Sequence, residues 1–156
     1  MTIRNAEKKD VAKILDLLGQ VLDVHVKIRP DIFIPGAVKY NEDELLALFE
    51  KENRLTYVAV DTGDEVLGYA MCEIIRHGVT DKLAPHTVVY IDDLCVDKAA
   101  RGQHIGSALF AYVREQARQI GADKVTLNVW EGNDSARAFY DKLGMKPMET
   151  TMEYIL

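Results

Sequence analysis

The sequence predicts one α/β domain, with a central mixed sheet flanked by helices. Apolar residues recur at helical spacing in several segments, and runs rich in β-branched residues lie between them. One of these runs passes through a short Arg/Gly turn directly into a helix. With 156 residues, 48% of them hydrophobic, the chain suffices for one substantial core and is too short for two ordinary domains.

The first half of the chain predicts a strand, two helices and an antiparallel hairpin. A short strand at Thr2 to Arg4 precedes the first helix. Prolines then make Val24 to Lys39 an irregular connector. Asn41 and Glu44 resemble a capping box that begins a second helix, ending near Asn53. The hairpin follows, with strands at Leu55 to Val60 and Val66 to Ile75 and with Gly63 free to take a positive φ in its turn.

The second half alternates strands and helices. The predicted elements are a strand at Thr87 to Val96, a helix over Ile105 to Ile120, a strand at Lys124 to Val129, a helix over Asp134 to Leu143, and a final strand at Thr150 to Leu156. The complete order is β-α-α-β-β-β-α-β-α-β, which is typical of a mixed α/β layer.

Composition and charge exclude several classes of function. The net charge of −6 argues against nonspecific nucleic-acid binding, which needs a basic surface, and is compatible with a cationic amine substrate. No apolar run approaches the ~20 residues that cross a bilayer, and the N-terminus has no signal-peptide block. We therefore expect a cytoplasmic protein that binds no membrane. Cys72 and Cys95 lack metal-ligand spacing, so we expect buried reduced thiols and no metal.

The turn between the third strand of the antiparallel run and the third helix has the features of an anion site. The first N–H groups of a helix are unsatisfied and carry roughly half a positive charge, which favours phosphate. The spacing fits neither a P-loop nor a dinucleotide fingerprint. The residues of this predicted cradle are Arg101, Gly102, Gln103, His104, Ile105, Gly106 and Ser107.

Two motifs in this order resemble the GNAT superfamily of N-acetyltransferases. Arg101 to Gly106 is similar to its R/Q-x-x-G-x-G/A pyrophosphate motif, with His104 in place of the first Gly. The segment from Asn133 to Gly144 resembles its N-x-x-A-x-x-x-Y-x-x-x-G segment. The H-x-x-x-R-P-D-x-F pattern beginning at His25 is similar to a bacterial subset of the superfamily. The predicted element order is also that of GNAT proteins.

The resemblance implies how a donor, acetyl-CoA, would bind. Its pyrophosphate would lie in the cradle, and its pantetheine arm alongside Leu94, Cys95 and Val96, which bind through main-chain groups. A main-chain N–H there, that of Leu94, would stabilise the oxyanion. Asn133 would contact the pantetheine arm, and Tyr140 would protonate the departing thiolate. A Tyr at this position of an apolar helical stripe is also compatible with a core residue.

The acceptor side is less determined by the sequence. Asp92 and Asp93 are candidates to hold an ammonium group and remove its proton, and strand alternation predicts that they point to opposite faces. Glu73 on the neighbouring strand is the rival base. The resemblance places the acceptor at the connector, where the candidate residues are His25, Arg29, Asp31 and Phe33.

We therefore expect an N-acetyltransferase that moves an acetyl group from acetyl-CoA to a primary amine by direct attack. The acceptor is either a small amine or a protein or peptide amine. The alternatives are a coenzyme A-binding sensor without turnover and a structural interaction domain without coenzyme affinity. Homodimer formation through the C-terminal strand stays open.

Overall fold

The computed structural model describes residues 1–80, 82 and 84–156, which form five strands and four α-helices with two short 3-10 turns. In chain order these elements are β1 (Thr2–Asn5), a 3-10 turn (Lys8–Asp10), α1 (Val11–Ile28), α2 (Glu42–Phe49), β2 (Arg54–Val60), β3 (Val66–His77), β4 (His86–Val96), a 3-10 turn (Lys98–Ala100), α3 (Ile105–Ile120), β5 (Lys124–Leu127) and α4 (Asp134–Lys142).

All five strands belong to one sheet, in the order β1-β2-β3-β4-β5. The first four are antiparallel neighbours, whereas β4 and β5 run parallel and are connected through α3. The mixed α/β fold predicted from the sequence is therefore confirmed.

Helices cover both faces of the sheet. Val58 and Val60 of β2 belong to the buried cluster that contains the apolar residues of α1 and α2. Their neighbours Tyr57 and Ala59 belong to a second cluster, with Leu109 of α3. Because successive side chains of a strand point to opposite faces, α3 packs on the face opposite α1 and α2.

The sheet opens on one side of β4. The parallel ladder runs from Val88 opposite Lys124 to Ile91 opposite Leu127 and extends no further. At that point the ladder with β3 shifts register, so that Asp92 is an extra residue in a β-bulge. Beyond the bulge, β4 continues to Val96 without a strand ladder on its β5 side among the described residues. A cleft begins where the two parallel strands separate.

Gly68 of β3 allows β4 to approach closely at this end of the sheet. A Cβ at this position would lie 2.6 Å from the carbonyl oxygen of Cys95 and 3.2 Å from the Cα of Val96. Both are backbone atoms, so a side chain could be accommodated only if β4 moved.

Several element bounds differ from the predictions. β5 ends at Leu127, before the expected Val129, because its ladder with β4 ends there. α1 continues through Ile28, beyond the expected start of the irregular connector, because its first helix-breaking residue is Pro30. α2 begins at the predicted capping box but ends at Phe49, before the expected Asn53. In the hairpin turn the positive φ of 67° belongs to Asp64, since the Asp61 carboxylate accepts hydrogen bonds from two backbone N–H groups and fixes the turn.

The predicted final strand is wrong, because residues 146–156 contain no strand and pair with none of the described strands. The apolar pattern here predicts a strand only if a partner edge is available. The large apolar side chains of residues 146–156 are exposed, including those of Met152, Tyr154 and Ile155. The segment is attached by an ion pair of 2.8 Å between Glu153 and Arg29.

Cys72 and Cys95 are free and buried, as expected. Burial raises the pKa of each thiol to about 12, which keeps both protonated at neutral pH. Among the described residues, no helix has the length and apolar character needed to cross a membrane.

Candidate active site

A cleft of about 610 Å³ lies where β4 and β5 separate. It is bounded by the second half of α1, the bulged end of β4, the N-terminus of α3 and the first turns of α4. The predicted site residues that line it are His25, Asp92, Asp93, Leu94, Cys95, Val96, Arg101, Gly102, His104, Ile105, Gly106, Ser107, Asn133 and Tyr140. Two motifs that are far apart in sequence therefore meet in one cleft.

The cradle has the geometry of a helix N-terminus that faces the cleft. α3 begins at Ile105, and Gly102 and His104 take left-handed conformations, with φ of 80° and 61°. Arg101 donates from Nε to the carbonyl oxygen of Val96 at 3.3 Å. The free N–H groups of the first helical turn and this guanidinium favour an anion here. Gln103 does not line the cleft.

His104 occupies a backbone conformation that favours glycine. The left-handed region costs an L-residue roughly 1–2 kcal/mol, and the His104 side chain makes no capping hydrogen bond in return. We expect His104→Gly to raise the free energy of unfolding by about 0.5–1 kcal/mol, since glycine's greater entropy loss on folding offsets part of the relief. Urea denaturation measures the difference.

Gln103→Gly is the matched control, because Gln103 lies next to His104 but has no positive φ itself and so gains nothing from glycine. That variant should be less stable than the parent. If His104→Gly is destabilised as well, backbone strain at His104 is not the dominant effect. If His104→Gly binds acetyl-CoA clearly more weakly, the imidazole itself is a phosphate ligand.

α4 presents Asn133 and Tyr140 to the cleft. Asn133 caps the helix by accepting a hydrogen bond from the N–H of Ala136 at 3.3 Å, as the sequence predicts. Phe139 packs against α3, where a Cβ on Gly106 would lie 3.2 Å from its ring. The Tyr140 ring packs against the core on the α3 side and also lines the cleft, so its position is compatible with both of the roles considered for it. Burial raises the pKa of Tyr140 and keeps its phenol protonated.

The two aspartates do not point to opposite faces, which corrects the prediction from strand alternation. The bulge at Asp92 inserts one residue, and both carboxylates lie 3.2 Å from the Nζ of Lys39. Lys39 comes from the connector between α1 and α2. The bulge thus converts two alternating acids into one anionic pair beside the cleft.

Asp93 is the more buried of the pair, with 10% of its side chain exposed against 23% for Asp92. Burial raises the pKa of Asp93, and the positive charge of Lys39 opposes the shift. A carboxylate with a raised pKa is a stronger base than a fully solvated one. Burial and the charge of the nearby Asp93 both raise the pKa of the Tyr69 hydroxyl.

The predicted acceptor residues divide into two groups. His25 lies on the last turn of α1 and lines the cleft, and burial lowers its pKa, which favours neutral imidazole. Phe33 packs against the His25 ring at a tilt of 32°, with ring centroids 4.9 Å apart, and meets Trp130 edge-on at 5.3 Å. Arg29 and Asp31 form an ion pair of 2.6 Å and do not line the cleft.

Glu73 also lies outside the cleft lining. It pairs with Arg54 at 2.9 Å and accepts a hydrogen bond from Asn53 at 3.2 Å. This carboxylate is therefore engaged on the neighbouring strands and, unlike Asp92 and Asp93, does not line the cleft.

Sequence reasoning missed two residues of the site. Lys39 gave no signal, because only the bulge and the path of the connector bring it to the aspartates. Trp130 was detectable as the chain's single tryptophan directly after a predicted strand. It lines the cleft with 38% of its surface exposed.

Comparison with known proteins agrees with this geometry. Residues 22–145 match the Acetyltransferase (GNAT) family. A mutant of the BH1408 protein from Bacillus halodurans superposes with a TM-score of 0.96 at 33% identity, covering 100% of this chain and 99% of that one.

Two curated relatives match part of the chain. The chloroplastic GCN5-related N-acetyltransferase 6 of Arabidopsis thaliana is 33% identical over 88 residues, which are 56% of this chain and 28% of the relative. Mycothiol acetyltransferase of Salinispora tropica is 33% identical over 103 residues, 64% of this chain and 31% of the relative. The chain thus spans less than a third of the length of either relative. The family match covers most of the chain and all cleft-lining residues except Gln20 and Val21, and the chain belongs to the Acetyltransferase (GNAT) family.

Proposed function

We propose that the protein is an N-acetyltransferase that uses acetyl-CoA as donor substrate and a primary amine as acceptor, by direct attack. One observation carries the proposal. The open edge of β4 lies in the same cleft as the N-terminus of α3, Tyr140 and Asp93. This arrangement supplies an anion site, a main-chain edge, an acid and a base along one surface.

The cleft fits an elongated donor with an anionic middle. The first turn of α3 and Arg101 would hold the pyrophosphate, since both offer donors to an anion. The main-chain groups of Leu94, Cys95 and Val96 would bind the pantetheine arm as an added strand, because β5 leaves this edge of β4 open. Asn133 lies beside the same cleft and would contact the arm.

The chain's own groups would divide the chemistry among them. Asp93 would accept the proton that an ammonium group must lose before the nitrogen attacks. The main-chain N–H of Leu94 would stabilise the negative charge on the carbonyl oxygen, a contribution typically worth ~3 kcal/mol. Tyr140 would donate its proton to the departing thiolate, and its raised pKa keeps that proton available. No step requires a metal, and the described residues contain no group of three or more metal-ligating side chains.

Several features support a small amine as acceptor. Beside the anionic pair, the acceptor end of the cleft is lined by His25 and Trp130, with Phe33 packed against both. Such aromatic surfaces bind the apolar body of an amine while the carboxylates bind its charge. A protein or peptide amine is the alternative acceptor, and a panel containing both classes distinguishes them.

Two measurements on the full chain test the proposal. Calorimetric titration with acetyl-CoA should show binding at one site, and a thiol-release assay with a broad amine panel should show turnover. Binding without release for any amine would instead support a coenzyme A sensor. If no acetyl-CoA binds at all, neither the acetyltransferase nor the coenzyme A sensor is supported, and a structural interaction domain remains.

A further inference from the structure

Lys39 places a primary amine beside the proposed catalytic base. Its Nζ lies 3.2 Å from the Oδ2 atoms of Asp92 and Asp93, and 41% of its side chain is exposed. The contact joins the connector after α1 to the bulge of β4, more than 50 positions along the chain. An ammonium group between these carboxylates is in the position expected of the acceptor's own charge.

The groups needed for acetyl transfer lie around this amine. Asp93 is 3.2 Å away and is followed in the chain by Leu94, which lines the cleft. Tyr140 lines the same cleft as Asp93, and burial together with the Asp93 charge raises the pKa of its phenol. A base, a main-chain edge and an acid thus lie close to a lysine of the same chain.

We propose that Lys39 is a site of self-acetylation, at which its Nζ takes the acetyl group from acetyl-CoA when no other acceptor is bound. This inference rests on the proposed function. Asp93 accepts a proton from the ammonium group, and the free amine attacks the thioester carbonyl carbon. The new N–C bond forms as the C–S bond breaks, and Tyr140 protonates the thiolate. Asp93 releases its proton to solvent, the nitrogen loses its second proton to solvent as the neutral amide forms, and Tyr140 takes one proton back from solvent.

Acetylation would change the charge of the site. The amide that forms on Lys39 is neutral, so Asp92 and Asp93 would lose their nearest cation. Arg54 would remain, with an Nη1 atom 3.8 Å from Asp92. The anionic pair would then be open to the ammonium group of an external amine, and self-acetylation would prepare the acceptor site.

Lys9 provides a matched control within the same chain. Its Nζ also pairs with two carboxylates, those of Glu7 and Asp64, and its side chain is 53% exposed. It lies in the 3-10 turn before α1, and neither of its carboxylate partners lines the cleft, whereas both carboxylate partners of Lys39 do. Lys39 and Lys9 therefore differ mainly in whether they lie near the proposed machinery.

The experiment incubates the full chain with acetyl-CoA alone and follows acetylation by peptide mass spectrometry. We expect Lys39 to react about 100-fold faster than Lys9, because a positioned acid and base act on it. The rate constant should be independent of protein concentration. Tyr140→Phe should slow the reaction at Lys39 and leave that at Lys9 unchanged, and Lys39→Arg should abolish the fast phase.

Equal rates at Lys39 and Lys9 would overturn the inference, as would a Lys39 rate constant that rises with protein concentration. Calorimetry on the same preparation separates this failure from failure of the proposed function. Acetyl-CoA binding without fast acetylation of Lys39 overturns the self-acetylation alone. Absence of acetyl-CoA binding overturns both.

Discussion

Tyr140→Phe is expected to slow single-turnover acetyl transfer by about 100-fold, the lower end of what a positioned general acid contributes. The variant keeps the ring that packs on the α3 side of the core and removes only the hydroxyl. Acetyl-CoA affinity should therefore change little. Rapid mixing of acetyl-CoA-loaded protein with a reactive amine, followed by thiol detection, measures the rate.

Tyr112→Phe is the control for Tyr140, since its ring meets Tyr57 at 5.0 Å in the core and does not line the cleft. Its rate should equal that of the parent. An unchanged rate in Tyr140→Phe would show that the thiolate leaves without this acid.

Arg4→Ala is expected to lower the free energy of unfolding by about 3 kcal/mol, because it leaves a buried carboxylate without its partner. Arg4 binds Asp10 through two hydrogen bonds, of 2.7 and 3.0 Å, and Asp10 is only 3% exposed. Arg4 also reaches Asp64 at 2.9 Å, so it joins β1, the turn before α1 and the hairpin. Urea denaturation measures the loss.

Arg118→Ala removes an exposed ion pair with Glu115 and should cost less than ~0.5 kcal/mol. If Arg4→Ala costs no more than this control, the Asp10 carboxylate is satisfied by other groups, such as the N–H of Glu7 that already binds it at 2.7 Å. The two variants thus compare, in one chain, the stability contributed by a buried ion pair with that contributed by an exposed one.

The sequence predicts elements well where one physical signal is strong. Helical periodicity with a capping box locates the start of α2, and β-branched runs locate the strands of the hairpin. The prediction of a final strand is wrong because alternating apolar residues do not reveal whether a neighbouring strand edge is available for pairing. The predicted end of α1 is too early because the residues before Pro30 are compatible with a helix.

The donor side of the candidate site is predictable because its parts are local motifs. A strand followed by an Arg/Gly turn and a helix sets the cradle within a few residues, and Tyr140 follows from helical spacing. The acceptor side depends on long-range geometry. The bulge that brings Asp92 and Asp93 together arises from pairing with β3, and Lys39 arrives from a connector, so neither leaves a local signal.

Gly68 shows that the shape of the cleft is partly decided on a strand outside it. With a Cβ only 2.6 Å from the Cys95 carbonyl oxygen, any other residue would displace the main chain of β4, along which the donor is proposed to bind. A mutational scan scored by activity would therefore mark Gly68 as if it were a contact residue. Loss of activity on substitution of Gly68 would reflect a change in the width of the cleft beside β4. A chain redesigned for bulkier acyl groups would therefore have to keep this glycine and change the opposite wall of the cleft.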